Sequence, residues 1–174
     1  STNDCVFMMA NGASGLSLRS SQDEETFLAA LKKVATTLAQ AIASDGEGAS
    51  KLVEVQLNGS HDLSLARKAA RGLIVSPLVK TAIHGEDPNW GRILARLGAE
   101  GIPKPLLDQM DLNIQGMRIF SRGNPVAFDR TEVKAAMKSA KIHIVIDLHG
   151  GIHSARAWGC DLSKRYIEIN TEYT

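Results

Sequence analysis

Two cysteines in 174 residues, Cys5 and Cys160, are too few for a disulfide-stapled scaffold, and no C-x-x-C pair points to zinc or dithiol chemistry. A reducing, cytoplasmic home is the expectation. No apolar run approaches the roughly 20 residues of a membrane span; the longest are stretches such as GLIVSPLV at 72–79. No basic-then-apolar leader opens the chain either, so neither membrane insertion nor secretion is expected. Lys/Arg blocks are missing and the net charge is +1, which leaves no electrostatic footprint for nucleic acid. Small molecules are the expected ligands. An initiator methionine is also missing, and the opening STNDCVFMMANG runs straight into an apolar segment. The chain is therefore expected to be part of something longer.

What is present is an ordinary mixture, 44% hydrophobic and 22% charged, with strand-like and helix-like periodicities alternating. CVFMMA at 5–10, closed by Asn11 and Gly12, suits a buried strand. Phe27, Leu28, Leu31, Val34, Ala35, Leu38 and Ile42 recur at helical spacing behind Asp23, Glu24 and Glu25, predicting a helix over 22–43. Alternation from Val53 to Leu57 predicts a strand over 51–59, and Ser60 is the expected cap of a helix over 61–73. Asp87 and Pro88 match the N-cap and first position of a helix that ends at Gly98 or Gly101. After a connector at 104–109, the pattern predicts a hairpin within 111–128, a capped helix in 129–140, a strand in 141–151 and a last strand, KRYIEIN, at 164–170. The class is α/β, with an expected boundary near 104 that separates 1–104 from 105–174.

Four segments invite chemistry. In HGEDPNWGR (84–92), Glu86 or Asp87 could serve as acid/base and Arg92 as an anion clamp, but a capped helix with a packing Trp90 accounts for the same residues. In IHIVIDLHGGIH, His143, Asp147 and His149 would share a strand face as an open metal site, with Val145 intruding and His153 left to the following turn. Surface or hydrogen-bonded histidines explain them more simply, and no metal is expected. Cys160 matches no nucleophile signature and Cys5 sits in an apolar run. Ser1 would be an N-terminal nucleophile if the mature chain began there, making the protein an amidase or aminopeptidase.

The loop DGEGASK (45–51) is quieter. It is neither a P-loop nor a calcium loop, and its glycines permit the left-handed turn that commonly follows a helix. Its acids stand where a helix C-terminus already carries partial negative charge, which disfavours each by about 0.3–1 kcal/mol. Lys51 could offset them; if it points away, the loop can hold an external cation such as an amino group. On physics alone a solvated turn is the favoured explanation, because exposed carboxylates cost little.

STND, CVFMMANG, DGEGASK, SPLVKTA, GEDPNWGR, AWGCDLS and the ending YIEINTEYT, in this order along the whole chain, resemble the ornithine acetyltransferase (glutamate N-acetyltransferase) family of arginine biosynthesis. The resemblance implies a precursor that cuts itself before a threonine, which becomes the nucleophile at the head of a β chain. The present chain would lie within that β chain, so no catalytic residue is expected in it and the threonine would lie upstream of Ser1. Carried over by position, substrate-binding residues fall on Glu47 and Asn170; a terminal hydroxyl residue of the family would fall just beyond Thr174. The implied reaction is ping-pong transfer of acetyl from N-acetylornithine to glutamate without a bound cofactor, with acetyl-CoA as a second donor in some members. The implied fold is a layered α-β-β-α sandwich like that of N-terminal-nucleophile hydrolases, with a smaller C-terminal α/β domain. The implied assembly pairs this chain with the α chain of its precursor as α2β2. A non-catalytic structural chain of a larger assembly is the remaining alternative.

Overall fold

The computed structural model describes residues 5–172, so Ser1 and Thr174 lie outside the described residues. Contacts divide the chain into two units, 1–37 and 38–174.

In the first unit, residues 5–11 have no regular structure, and Val6, Phe7, Met8 and Met9 are at least 77% exposed. The strand expected at 5–10 is therefore corrected: a strand needs a bonded neighbour, and none of the six strands of the sheet pairs with this segment. Helix α1 (Ser21–Ser44) begins in this unit and ends in the second. Its start is a reciprocal cap, with the Asp23 carboxylate accepting from the Ser20 N–H at 3.0 Å and the Ser20 hydroxyl accepting from the Asp23 N–H at 3.1 Å. No residue of α1 is buried, and Phe27, Leu28, Val34, Leu38 and Ile42 are exposed.

The second unit is built on one six-stranded sheet, in the order β4-β3-β2-β5-β1-β6. Its strands are β1 (Leu52–Ser60), β2 (Asp111–Ile114), β3 (Met117–Ser121), β4 (Asn124–Pro125), β5 (Lys141–Asp147) and β6 (His153–Cys160). β1 runs parallel to β5 and antiparallel to β6. The sheet takes β1 from before residue 104 and its other five strands from after it. Period-2 burial is clear on β1, where Val53, Val55 and Leu57 are buried while Glu54, Gln56 and Asn58 are only half-buried. Ile142, Ile144 and Ile146 of β5 join the same core. Helix α2 (Leu63–Val75) lies along β1 and β6, and its buried Ala66, Ala69, Ala70 and Gly72 let it approach closely. Helices α3 (Pro77–His84) and α4 (Trp90–Ala99) pack beside it, followed by the single turn α5 (Lys104–Leu107), α6 (Arg130–Ala136) and α7 (Lys164–Thr171). The expected hairpin forms through Gln115 and Gly116, both at positive φ (53° and 80°), the geometry that matches strand twist.

Two caps, one turn and one further strand differ from expectation. β1 extends to Ser60, so α2 starts later and its cap is Asp62, whose carboxylate accepts from the Ser64 N–H at 2.8 Å. Asn89, not Asp87, caps α4: its side-chain oxygen accepts from the Arg92 N–H at 3.1 Å, and Asp87 accepts from the Asn89 amide at 2.9 Å. His153 opens β6 instead of lying in a turn. KRYIEIN is helix α7, because Ser163 caps it (Tyr166 N–H to Oγ, 3.4 Å) and Arg165 meets Glu168 one turn on. No helix among the described residues is long and apolar enough to cross a membrane.

Candidate functional site

The structure brings Glu47 and Asn170 together although 123 residues separate them: the Asn170 side-chain amide donates to Glu47 Oε2 at 2.8 Å. The contact depends on the helical state of 164–171. Asn170 lies one turn beyond Tyr166, and its amide also donates to the Tyr166 carbonyl at 2.8 Å. With the amide's donors used on Tyr166 and Glu47, Asn170 Oδ1 and Glu47 Oε1 accept no bond among the described residues. The pair therefore presents acceptors only, on an exposed surface, next to the end of a helix with no basic residue in its last turn. An ammonium group, with three donors and a positive charge, is its chemical complement.

Lys51 does not offset these acids. It is buried, and its ammonium donates to the Ile83 carbonyl at 3.1 Å and sits 3.6 Å from Glu86. Among the described residues neither Asp45 nor Glu47 has an ion-pair partner. An open hollow of about 500 Å3 lies on the α1 side of the loop, lined by Ala41, Ile42, Ser44 and Asp45; Glu47 instead meets α7.

Close packing holds the loop to the residues around α7. Gly48 adopts φ 67°, and a Cβ there would stand 2.6 Å from the Tyr166 nitrogen. The Gly48 carbonyl accepts from the Ser163 hydroxyl at 2.6 Å, so the cap of α7 also grips the loop. Gly48→Ala is expected to cost about 2 kcal/mol, combining a left-handed alanine with the displacement of α7. Thermal unfolding checks this, and an unchanged melting temperature would mean that loop and helix are not in contact in solution.

Farther along the loop stands Asp161, whose side chain is fully buried. Its carboxylate accepts from the Ser50 N–H (2.8 Å), the Ser50 hydroxyl (2.6 Å), the Lys51 N–H (2.9 Å) and His84 Nδ1 (2.7 Å). Burial alone would raise the Asp161 pKa, but the bonds from Ser50, His84 and Lys51 outweigh it and hold the carboxyl below its usual 3.8.

The other candidate segments are occupied by scaffold contacts. Arg92 does not clamp an anion: its guanidinium donates to the Leu78 carbonyl at 2.8 Å and the Thr81 hydroxyl at 3.2 Å, tying α4 to α3. Asp87 holds Asn89 and Arg130, and Trp90 stacks near Phe120 with ring centroids 5.2 Å apart. His149 is not on the β5 face with His143. It lies past the strand end at φ 52°, with its ring between Asp111 (3.2 Å) and Asp147 (3.4 Å). No group of three or more His, Cys, Asp or Glu among the described residues could hold a metal ion. Cys160 has Lys80 Nζ 3.9 Å from its sulfur. The sequence reading missed the role of Asp161, for which only its place in AWGCDLS was a signal.

The fold and this loop define a mixed α/β protein with a six-stranded sheet and a surface carboxylate set against an amide. Comparison with known proteins gives the family: the model described as ArgJ family matches residues 1–174, and the chain belongs to that family. It is 45% identical over 178 residues to the Arginine biosynthesis bifunctional protein ArgJ of Staphylococcus epidermidis, covering 100% of this chain and 44% of that protein. Against the Glutamate N-acetyltransferase of Methanopyrus kandleri the identity is 44%, over 99% of this chain and 45% of the relative. The chain thus spans less than half the length of these relatives. The crystal structure of Arginine biosynthesis bifunctional protein argJ from Bacillus halodurans superposes with a TM-score of 0.92 at 37% identity, over 99% of this chain and 82% of that one.

Proposed function

We propose that this chain is the β-chain part of a glutamate N-acetyltransferase, an acyltransferase of arginine biosynthesis, and that Glu47 and Asn170 are its substrate contacts. The observation that carries the reading is the 2.8 Å bond between these two side chains, with their remaining oxygens left as acceptors. The proposed reaction is ping-pong. A threonine hydroxyl upstream of Ser1, activated by its own α-amine, attacks the acetyl carbonyl of N-acetylornithine; the tetrahedral intermediate expels ornithine and leaves an acetyl-threonine ester. The amine of glutamate then attacks that ester, giving N-acetylglutamate and restoring the hydroxyl. Glu47 orients the side-chain ammonium of N-acetylornithine, which does not react, and takes no part in bond making. No bound cofactor is needed, and acetyl-CoA, where used, enters as a substrate.

The proposed architecture follows. The polar, half-buried sheet face of Glu54, Gln56 and Asn58, and the exposed apolar side of α1, would be covered in an α-β-β-α sandwich completed by upstream residues and the α chain, within an α2β2 assembly. This 174-residue chain alone is expected to be inactive. Intact mass and N-terminal sequencing of the full-length gene product test the processing, with a β chain starting at a threonine upstream of Ser1 as the expected result. A mature start at Ser1 would favour an N-terminal-nucleophile amidase instead. Transfer of labelled acetyl from N-acetylornithine to glutamate by the two-chain preparation, and none by this chain, is the expected activity.

A further inference from the structure

The segment Cys160–Ser163, which leads from β6 to α7, meets the Glu47 loop almost residue by residue. A Cβ on Gly46 would stand 2.8 Å from Cys160 Sγ, Asp161 takes both backbone N–H groups of Ser50 and Lys51, and Ser163 takes the Gly48 carbonyl. Glu47 is thus held from the glycines on either side of it and from the two residues that end the loop. Behind Asp161 stands His84, the last residue of α3. An ionised carboxylate only accepts, so His84 Nδ1 carries the proton and donates to Asp161 Oδ2, the same oxygen that accepts from the Ser50 hydroxyl. The His84 side chain is 40% exposed and makes no other polar bond among the described residues. Burial does not account for it; its one polar contact is with the carboxylate that anchors the loop.

We infer that Asp161 and His84 are positioning residues that hold the Glu47 carboxylate in place for its substrate's ammonium group, Asp161 by anchoring Ser50 and Lys51 and His84 by fixing Asp161. The inference rests on Glu47 being the substrate contact. Neither residue touches substrate, so both act on binding and leave the threonine chemistry alone.

Steady-state kinetics of the full-length, assembled enzyme with N-acetylornithine test it. Asp161→Asn, which keeps the shape but cannot accept all four bonds, is expected to raise KM about five-fold with kcat within about two-fold. His84→Ala is expected to raise KM about three-fold, and His84→Asn to restore it, because its amide can replace Nδ1 as the donor to Asp161. The combination with Glu47→Gln separates positioning from mere scaffolding. Once the charge is gone there is nothing left to position, so adding Asp161→Asn to Glu47→Gln should raise KM no further. Additive effects, or an unchanged KM in Asp161→Asn beside a sensitive Glu47→Gln, overturn this inference and leave the substrate reading standing. An insensitive Glu47→Gln removes both. If Asp161→Asn does not fold, the His84→Ala and His84→Asn pair decides, and equal KM values in the two with no change from wild type overturn the proposal.

Discussion

Glu47→Ala in the assembled enzyme is expected to lower kcat/KM for N-acetylornithine at least ten-fold, about 1.4 kcal/mol of lost transition-state binding. Three features set the size. The carboxylate has no internal cation, because Lys51 is turned to Ile83 and Glu86. Its Oε2 is held by Asn170, so the charge is oriented before substrate arrives. The site is nevertheless exposed, and solvent screening keeps a single ion pair there well below the value of a buried one. For the same reason the substitution should shift folding stability by less than about 0.5 kcal/mol. An unchanged kcat/KM would remove Glu47 from the substrate site. A loss accompanied by a large fall in melting temperature would instead point to a structural role for the loop.

The elements that could be read from sequence are those whose periodicity and caps agree. The helix behind Asp23 joined helical spacing to acid in its first turn, and the alternation of Val53, Val55 and Leu57 marked β1. Where local signals conflicted, tertiary partners decided. CVFMMA has strand composition but no strand beside it among the described residues. Ile167 and Ile169 alternate like a strand, yet Ser163 and the close approach at Gly48 favour a helix. Single-residue caps were the least legible feature: Asp62 and Asn89 displaced Ser60 and Asp87 because cap identity depends on where the preceding strand or turn ends. Glu47 and Asn170 came from family resemblance, and no spacing rule links residues this far apart. Asp161 was invisible for the same reason, since its partners come from the loop before β1 and from α3.

Asp161→Ala is expected to cost about 3 kcal/mol of stability, the largest effect of any substitution considered. It strands two backbone N–H groups, of Ser50 and Lys51, and a hydroxyl and an imidazole besides. Each buried orphan donor costs about 1–3 kcal/mol, and water reaching the exposed Ser50 recovers part of the loss. The pH dependence gives a second, independent readout. Because the folded-state pKa of Asp161 lies below the usual 3.8, its contribution is fully present above that value and is lost as pH falls through the folded pKa. The melting-temperature gap between wild type and Asp161→Ala should therefore be widest near neutral pH and narrow steadily below about pH 4. Some acid sensitivity remains in the variant, since Asp111 is also depressed, with the cost of its burial outweighed by bonds from Ser121, Arg122 and His149 and by the charge of Arg118. A gap independent of pH would show that the Asp161 carboxylate binds no fewer protons in the folded state than in the unfolded one. That would contradict the four-bond arrangement that holds the 45–51 loop in place.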